Sequence, residues 1–318
     1  MSIKNTIPLF FAVDDSYAPY LSVSLTSIKE NTSPDSHITA HILYSSLTKT
    51  NIEKLSTIAD KSFEIKFFDV NVHIKKIKKS LHTRDYYSSA TYYRFLIPHM
   101  FPKLDKGLYL DCDVVLRNNI EALYNTDLED FLVGAVTDEV VTDIPLFSSY
   151  SEEFLGISPK NYFNACVMLL NLKKMRQLNI LEALKSLMSK CCFPVAQDQD
   201  YLNILCGFDV KYLPLEWNKT AFDGSDKLYS PNLIHFKLNF KPWHYDNIAF
   251  ENIFWKYAKK TPYFEDLKNE QLLYGFEEKE RDRKGYEHLI SRAQREIKKA
   301  SMPGYTPPIK YSLKRMGI

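Results

Sequence analysis

Gly107-Leu-Tyr-Leu-Asp-Cys-Asp-Val-Val-Leu116 is the stretch on which the reading of this chain turns. Apolar residues run up to Asp111-Cys112-Asp113 and resume after it, the pattern of a β-strand covered on both faces. A strand over 107–116 puts both carboxylates at the carboxyl end of its apolar run 107–110. In open α/β sheets that edge is where ligands bind. Alternation along the strand places Asp111 and Asp113 on one face, with Cys112 turned the other way. Two carboxylates side by side are costly unless a cation neutralises them, and hard divalent ions take oxygen ligands. Asp-x-Asp triplets are common by chance, so it is the strand-end position that gives this one weight.

Outward from this strand, β-rich runs alternate with longer mixed segments. Ile7-Pro-Leu-Phe-Phe-Ala-Val13 reads as the first strand, followed by strands over 37–45, 63–70, 107–116, 132–136 and 164–172. Helices are expected over 19–30, 48–60 (opened by a Thr48 cap) and 180–190. Continuous apolar runs such as Val167-Met-Leu-Leu170, with helices between the strands, predict an α/β fold on a mostly parallel, doubly wound sheet. One domain is expected over residues 1–245, with a C-terminal helical, basic extension over 246–318. In that extension Tyr286, Leu289, Ile290, Ala293 and Ile297 share a helical face. From 279 to 318 there are 11 Lys and Arg against 4 Asp and Glu. Such a segment either docks its apolar stripe on the domain or rests on an anionic membrane surface.

Bulk composition narrows the function classes. A chain of 318 residues with 25% charged side chains suits a globular protein, and a net charge of +2 is too small to imply a nucleic-acid partner. Its five cysteines, Cys112, Cys166, Cys191, Cys192 and Cys206, follow no disulfide or zinc spacing and indicate a reducing compartment. The early apolar run is cut off by Asp14 and Asp15, unlike a signal peptide, and no stretch approaches the ~18–20 apolar residues of a membrane span. A cytoplasmic location is expected.

Three further groups carry chemistry. His235 follows Leu233-Ile234 and precedes Lys241-Pro-Trp243. An imidazole added to two carboxylates favours Mn²⁺ over Mg²⁺, and Lys241 suits a phosphate as a point charge, although a histidine behind apolar residues is more often a core residue. Gln197-Asp-Gln-Asp200 is either a solvated helix start capped by Asp198 or a set of acceptors for sugar hydroxyls. Asp14 and Asp15, directly after the first strand, suit a base or ribose, or simply a turn.

In order and spacing, Phe11-Ala-Val-Asp-Asp15, Thr91-Tyr-Tyr-Arg94, Tyr109-Leu-Asp-Cys-Asp113, Tyr162-Phe-Asn-Ala165, Gln197-Asp-Gln-Asp200 and His235-Phe…Lys241-Pro-Trp243 resemble glycosyltransferase family 8. This is the family of bacterial lipooligosaccharide galactosyltransferases and of glycogenin, and the resemblance covers residues 7–245. It implies a GT-A type fold and a retaining hexosyltransferase using UDP-glucose or UDP-galactose. Ala12, Asp14 and Tyr17 would line the uracil and ribose pocket. Asp111, Asp113 and His235 would hold Mn²⁺, or Mg²⁺ in its place, against the diphosphate, with Lys241 as a second positive charge. Arg94, Asn164, Asp198 and Gln199 would surround the donor sugar. An oligosaccharide, glycolipid or glycoprotein would be the acceptor, reached from the cytoplasm or from the inner face of the membrane. Gln199 is a poor nucleophile, so front-face attack by the acceptor hydroxyl is the preferred route. A covalent intermediate on Asp198 or Gln199 is the alternative.

Two departures stand out. Leu238 occupies a position where the family often has Gly, which would let backbone approach the phosphates closely. Residues 81–89, on the acceptor side, show no mappable pattern. Two other functions compete. A sugar-phosphate nucleotidyltransferase would need a Gly-rich, basic loop after the first strand, where this chain has Asp14-Asp15-Ser16. A non-catalytic carbohydrate-binding protein would release no UDP from a UDP-sugar.

Overall fold

The computed structural model describes residues 6–75, 89–222 and 230–313. Residues 81–88 of the acceptor-side segment and 314–318 of the basic tail lie outside them. The strands are β1 (Thr6–Val13), β2 (His37–Tyr44), β3 (Phe63–Asp69), β4 (Lys106–Leu110), β5 (Val114–Leu116), β6 (Val133–Thr137), β7 (Phe163–Asn171), β8 (Val210–Tyr212), β9 (Lys219–Thr220) and β10 (Leu233–His235). The chain forms two compact units, Met1–Asn71 with Gly107–Asp127 and Pro214–Asp282, and Val72–Lys106 with Leu128–Leu213 and Arg283–Ile318.

In the first unit the strand order is β3-β2-β1-β4, with β1 parallel to both neighbours and β2 parallel to β3. The order runs backward from β1 to β3 and then jumps to β4, which makes the β1/β4 boundary the topological switch point. In open α/β sheets such a point, at the carboxyl ends of two adjacent strands, is where ligands bind. Val13 and Leu110 are the last residues of those strands, so Asp14 and Asp111 both emerge at this edge. Helix α1 (Ala18–Asn31) follows β1, and its serines Ser22, Ser24 and Ser27 are all completely buried. A second, three-stranded sheet has the order β5-β10-β9.

The strand expected over 107–116 is in fact two. β4 stops at Leu110, β5 starts at Val114, and Asp111-Cys112-Asp113 is the turn between strands of different sheets. Buried backbone groups need partners, and here α1 and β10 supply them. The Ser24 hydroxyl lies against the Cys112 and Val114 carbonyls, and the Ser27 hydroxyl accepts from Leu116 N at 3.0 Å. β10 then pairs antiparallel with β5, His235 opposite Val114.

The helix expected over 48–60 is α2 (Lys49–Ser56), capped by Thr48, whose hydroxyl accepts from Asn51 N. It ends early because Ile58 N and Ala59 N bond to carbonyls three residues back, tightening the last turn.

The second unit has the order β7-β6-β8, with β6 antiparallel to β7 and parallel to β8. Helix Asp198–Cys206 belongs to it, and Asn203 fastens that helix to β7 by accepting from Phe163 N and donating to Phe163 O, both at 2.8 Å. Helix Phe276–Ala300 enters this unit at Arg283 and buries Leu289, Ala293 and Glu296, whereas Tyr286 is 39% exposed. The chain after it returns along the unit. Tyr305 Oη donates to Phe154 O, Leu313 N donates to Leu205 O at 3.2 Å, and Ile309 and Leu313 are buried. Pro307 and Ile309 sit so close to Gly156 (φ +78°) that a Cβ there would come within 2.6 Å of Pro307.

Candidate active site

Asp113 is the centre of the cluster in the first unit. Its Oδ2 accepts from Lys241 Nζ at 2.9 Å, and its Oδ1 lies 3.5 Å from His235 Nε2. Register brings the imidazole there. Because His235 pairs with Val114, and Phe236 N donates to Asp113 O at 3.0 Å, the end of β10 lies against the acidic turn. A carboxylate oxygen of Asp111 and a ring nitrogen of His235 lie within 4.8 Å of one another. Asp111 also accepts from Tyr109 Oη at 2.9 Å. His235 is 1% exposed and its Nδ1 lies 3.1 Å from Asn218 Oδ1. An amide oxygen only accepts, so Nδ1 carries a proton toward Asn218, and Nε2 faces the aspartates.

Burial opposes the charge on Asp113. The Lys241 ammonium and the His235 ring outweigh it and hold the carboxyl well below the usual range. The donor chemistry, two carboxylates and an imidazole nitrogen, fits a hard to borderline divalent cation. Lys241 is nearly buried, also donates to Phe236 O at 3.1 Å, and has its Nζ 5.8 Å from the Tyr17 ring centre. The loop between them holds Leu238 at φ +55°. The backbone there is in the left-handed conformation that suits Gly, so Leu238 carries strain at the position where the family pattern has Gly.

The residues after β1 divide into two roles. Asp14 Oδ1 caps the short turn Asp15–Tyr17, accepting from Tyr17 N at 3.2 Å and Ser16 Oγ at 2.7 Å. Asp15 is a tether to α2, accepting from Thr48 N at 2.6 Å and Asn51 Nδ2 at 2.9 Å. Ala12 offers its carbonyl to Cys112 Sγ at 3.3 Å, so Cys112 does turn toward β1.

A second cluster lies wholly within the second unit. Arg94 and Asp198 are both buried and paired, Nε to Oδ2 at 3.3 Å. Arg94 is aimed by two carbonyls, donating to Thr91 O at 2.8 Å and Ala165 O at 2.6 Å. Gln199 is held at both ends of its amide. Oε1 accepts from Ala165 N at 3.0 Å, and Nε2 donates to Asp138 Oδ2 at 3.1 Å and Tyr162 Oη at 3.3 Å. Asn164 Nδ2 donates to the same Asp138 oxygen at 2.7 Å. Asp200 faces inward, accepting from Tyr150 Oη at 2.9 Å, Tyr162 Oη at 2.7 Å and Ala196 N at 3.0 Å. Burial, with the Asp200 charge, pushes both phenols far above their ordinary range, so they stay donors.

Asp138, Tyr150, Asn218 and Ser24 escaped the sequence reading. Only Asp138 left a signal: it directly follows the last residue of β6, as Asp111 follows β4. The others are ordinary polar residues whose partners lie far off in the chain.

A parallel run β3-β2-β1-β4 with an acidic turn at its switch point, and a mixed run β7-β6-β8 with helix Asp198–Cys206 fastened to β7, give the GT-A type of glycosyltransferase fold. Residues 8–247 match the family model for glycosyl transferase family 8, and the chain belongs to that family. A putative glycosyltransferase of Haemophilus influenzae is 30% identical over 243 residues, 76% of this chain and 72% of its own. A lipopolysaccharide 1,2-glucosyltransferase of Escherichia coli is 27% identical across 98% of this chain and 91% of its own. Among solved structures, galactosyltransferase LgtC in complex with donor and acceptor sugar analogs matches with TM-score 0.67 and 26% identity, over 80% of this chain and 96% of that one. The bifunctional WbbM matches with TM-score 0.73 and 25% identity over 86% of this chain, which spans only 53% of WbbM. Glycosyl transfer, the enzyme class expected from the sequence, follows from the family membership.

Proposed function

We propose that this enzyme transfers glucose or galactose from a UDP-sugar to a hydroxyl of a lipopolysaccharide-type oligosaccharide or another glycolipid, with retention of configuration and dependence on Mn²⁺. Residues 1–245 are the catalytic domain in this reading. The observation that carries it is the convergence of His235 and Lys241 on Asp113, beside Asp111, at the carboxyl edge of a parallel sheet. The names of the Escherichia coli relatives support a hexose and a lipopolysaccharide acceptor.

Asp111, Asp113 and His235 hold the cation, which when bound offsets negative charge gathering on the departing diphosphate. Lys241 contributes a fixed positive charge in a water-poor setting, where it acts more strongly than in solvent. Ala12, Asp14 and Tyr17 receive the uridine. In the second unit, Arg94 pairs with Asp198 and holds it in place, and Asp198 with Asn164 accepts from and donates to sugar hydroxyls. Gln199 has both amide hydrogens committed to Asp138 and Tyr162, so its oxygen cannot rotate away. A remaining lone pair of that oxygen supports positive charge developing at the anomeric carbon, with the acceptor hydroxyl attacking from the leaving-group side.

The C-terminal extension offers exposed Lys284, Arg295, Lys298 and Lys299 to an anionic membrane. No described helix is long and apolar enough to cross one, so contact in this reading is peripheral and on the cytoplasmic face. The decisive experiment is UDP release from UDP-glucose, UDP-galactose and their N-acetyl forms with Mn²⁺, Mg²⁺ or chelator. Release from none of the four overturns the reading, and release without metal overturns its metal part.

A further inference from the structure

Helix Phe264–Leu273 lies outside residues 1–245, yet it is fastened to the loop that carries Lys241. Glu270 Oε1 lies 2.8 Å from His244 Nε2, and Gln271 Nε2 donates to Pro242 O at 3.0 Å. Tyr274, at the end of the helix, stacks on the His244 ring with centres 3.7 Å apart and planes 9° from parallel. A carboxylate accepts, so His244 Nε2 carries a proton toward Glu270. The same Glu270 oxygen also accepts from Tyr20 Oη, at 2.5 Å. One carboxylate thus ties α1 to the Lys241 loop. Tyr20 is nearly buried, and burial together with the Glu270 charge pushes its phenol far above the ordinary range, so it stays a donor.

These bonds fix the ring of Tyr20 and the loop together. Tyr20 stacks on Trp243 with centres 4.2 Å apart and meets Tyr17 edge-on at 5.1 Å. Those two rings flank the Lys241 ammonium, whose Nζ lies 5.0 Å from the centre of the Trp243 ring and 5.8 Å from that of Tyr17. The backbone of Lys241 is held as well, because His244 N and Tyr245 N both donate to its carbonyl, at 3.0 and 2.9 Å. A lysine side chain is long and flexible, so keeping its charge in one place needs support from its surroundings. In the proposed function Asp113 is shared with a cation. The support that persists is then that of the rings and the loop.

We propose that Glu270 is a positioning residue for Lys241: by accepting from Tyr20 and His244 at once, it fixes the ring and the loop that aim the ammonium at the donor diphosphate. This deepens the proposed function and rests on it. It also makes a helix outside residues 1–245 part of the donor site.

The test compares wild type, Glu270→Ala and Glu270→Gln in Mn²⁺. It reads UDP release from the best UDP-hexose and the inhibition constants of UDP and of uridine, with Tm to show that each variant folds. Glu270→Ala should lower kcat/KM roughly 10-fold and weaken UDP by a similar factor. Uridine should bind as before, because it brings no phosphate for Lys241 to meet. Glu270→Gln keeps an oxygen in the same place and should recover most of the loss. Added to Lys241→Met, Glu270→Ala should cost little more, since both act through one group. Equal weakening of UDP and uridine, the full loss repeated on Lys241→Met, or unchanged inhibition by UDP would each overturn the inference. Should Glu270→Ala not fold, Tyr20→Phe removes one of the two donors and must likewise weaken UDP while sparing uridine. Should Lys241→Met not fold, the contrast between UDP and uridine decides alone. Wild type that releases UDP from no UDP-hexose would instead overturn the proposed function, and this inference with it.

Discussion

The two polar clusters are built on opposite plans. Around Asp113, opposite charges neutralise one another: Lys241 meets a carboxylate whose surroundings would otherwise reject it, with the His235 ring beside the pair. The strands that hold them, β5 and β10, have three residues each, and the acidic turn is a break between sheets. Around Gln199, hydrogen bonds fix orientation: amides and phenols converge on Asp138 and Asp200, fastened to nine-residue elements on either side. The first plan leaves ionic groups whose partners can be exchanged for a cation and a diphosphate. The second leaves amides that cannot turn. A charge is most useful where the ligand brings charge of its own, and a rigid dipole where charge appears only in the transition state.

Breaking the ionic cluster should have the largest effect. Asp113→Ala is expected to lower kcat/KM on the order of 10³-fold or more. It should also destabilise the fold by about 3–5 kcal/mol, because Lys241 is left buried without its counter-ion. Steady-state UDP release and urea unfolding measure the two effects, and near-normal turnover in the variant would end the comparison. Gln199→Ala, on the other plan, should lower kcat about 10²-fold with little change in donor affinity. Equal loss in both would reduce Gln199 to a binding group.

Asp138→Ala should cost roughly 10–100-fold in kcat, since it frees the Gln199 and Asn164 amides to turn without removing either. The conservative Asp138→Asn should recover part of that loss, because one amide oxygen remains as acceptor.

Acid sharpens the contrast further. Asp113 has its pKa lowered in the folded state, so its contribution to stability is complete above the ordinary carboxylate value of ~4 and is lost as pH falls through the lower folded value. The urea midpoints of wild type and Asp113→Asn should therefore differ at neutral pH and converge below about pH 4. A constant gap would mean that the Lys241 pair adds nothing. The smallest effect expected is at Leu238. Leu238→Gly should gain about 0.5–1 kcal/mol, as relief of the left-handed strain exceeds the added freedom of the unfolded chain. Loss of stability would mean that the side chain packs more usefully than its backbone suggests.

Much of the frame was legible in the chain. The runs from Ile7, His37, Phe63 and Asn164 became strands within a residue or two, and Thr48 caps its helix as its position suggests. These are local properties, set by side-chain period and by which polar group can reach the next few amides. The stretch 107–116 was misread for a nonlocal reason. Apolar residues on both sides of Asp111-Cys112-Asp113 look like one strand, and the break is made by serines on α1 and by β10, distant in the chain.

Taken alone, the amino-acid order determined the fold class, the family pattern, and the points where carboxylates leave buried strands, because a run of apolar residues ending in charge has few places to go. Tertiary structure alone decided which group answers each charge. Lys241 rather than solvent faces Asp113, Asn218 orients His235, and Asp138 aligns two amides. Such pairings depend on strand register and on burial, and a one-residue slip would turn each side chain to the opposite face.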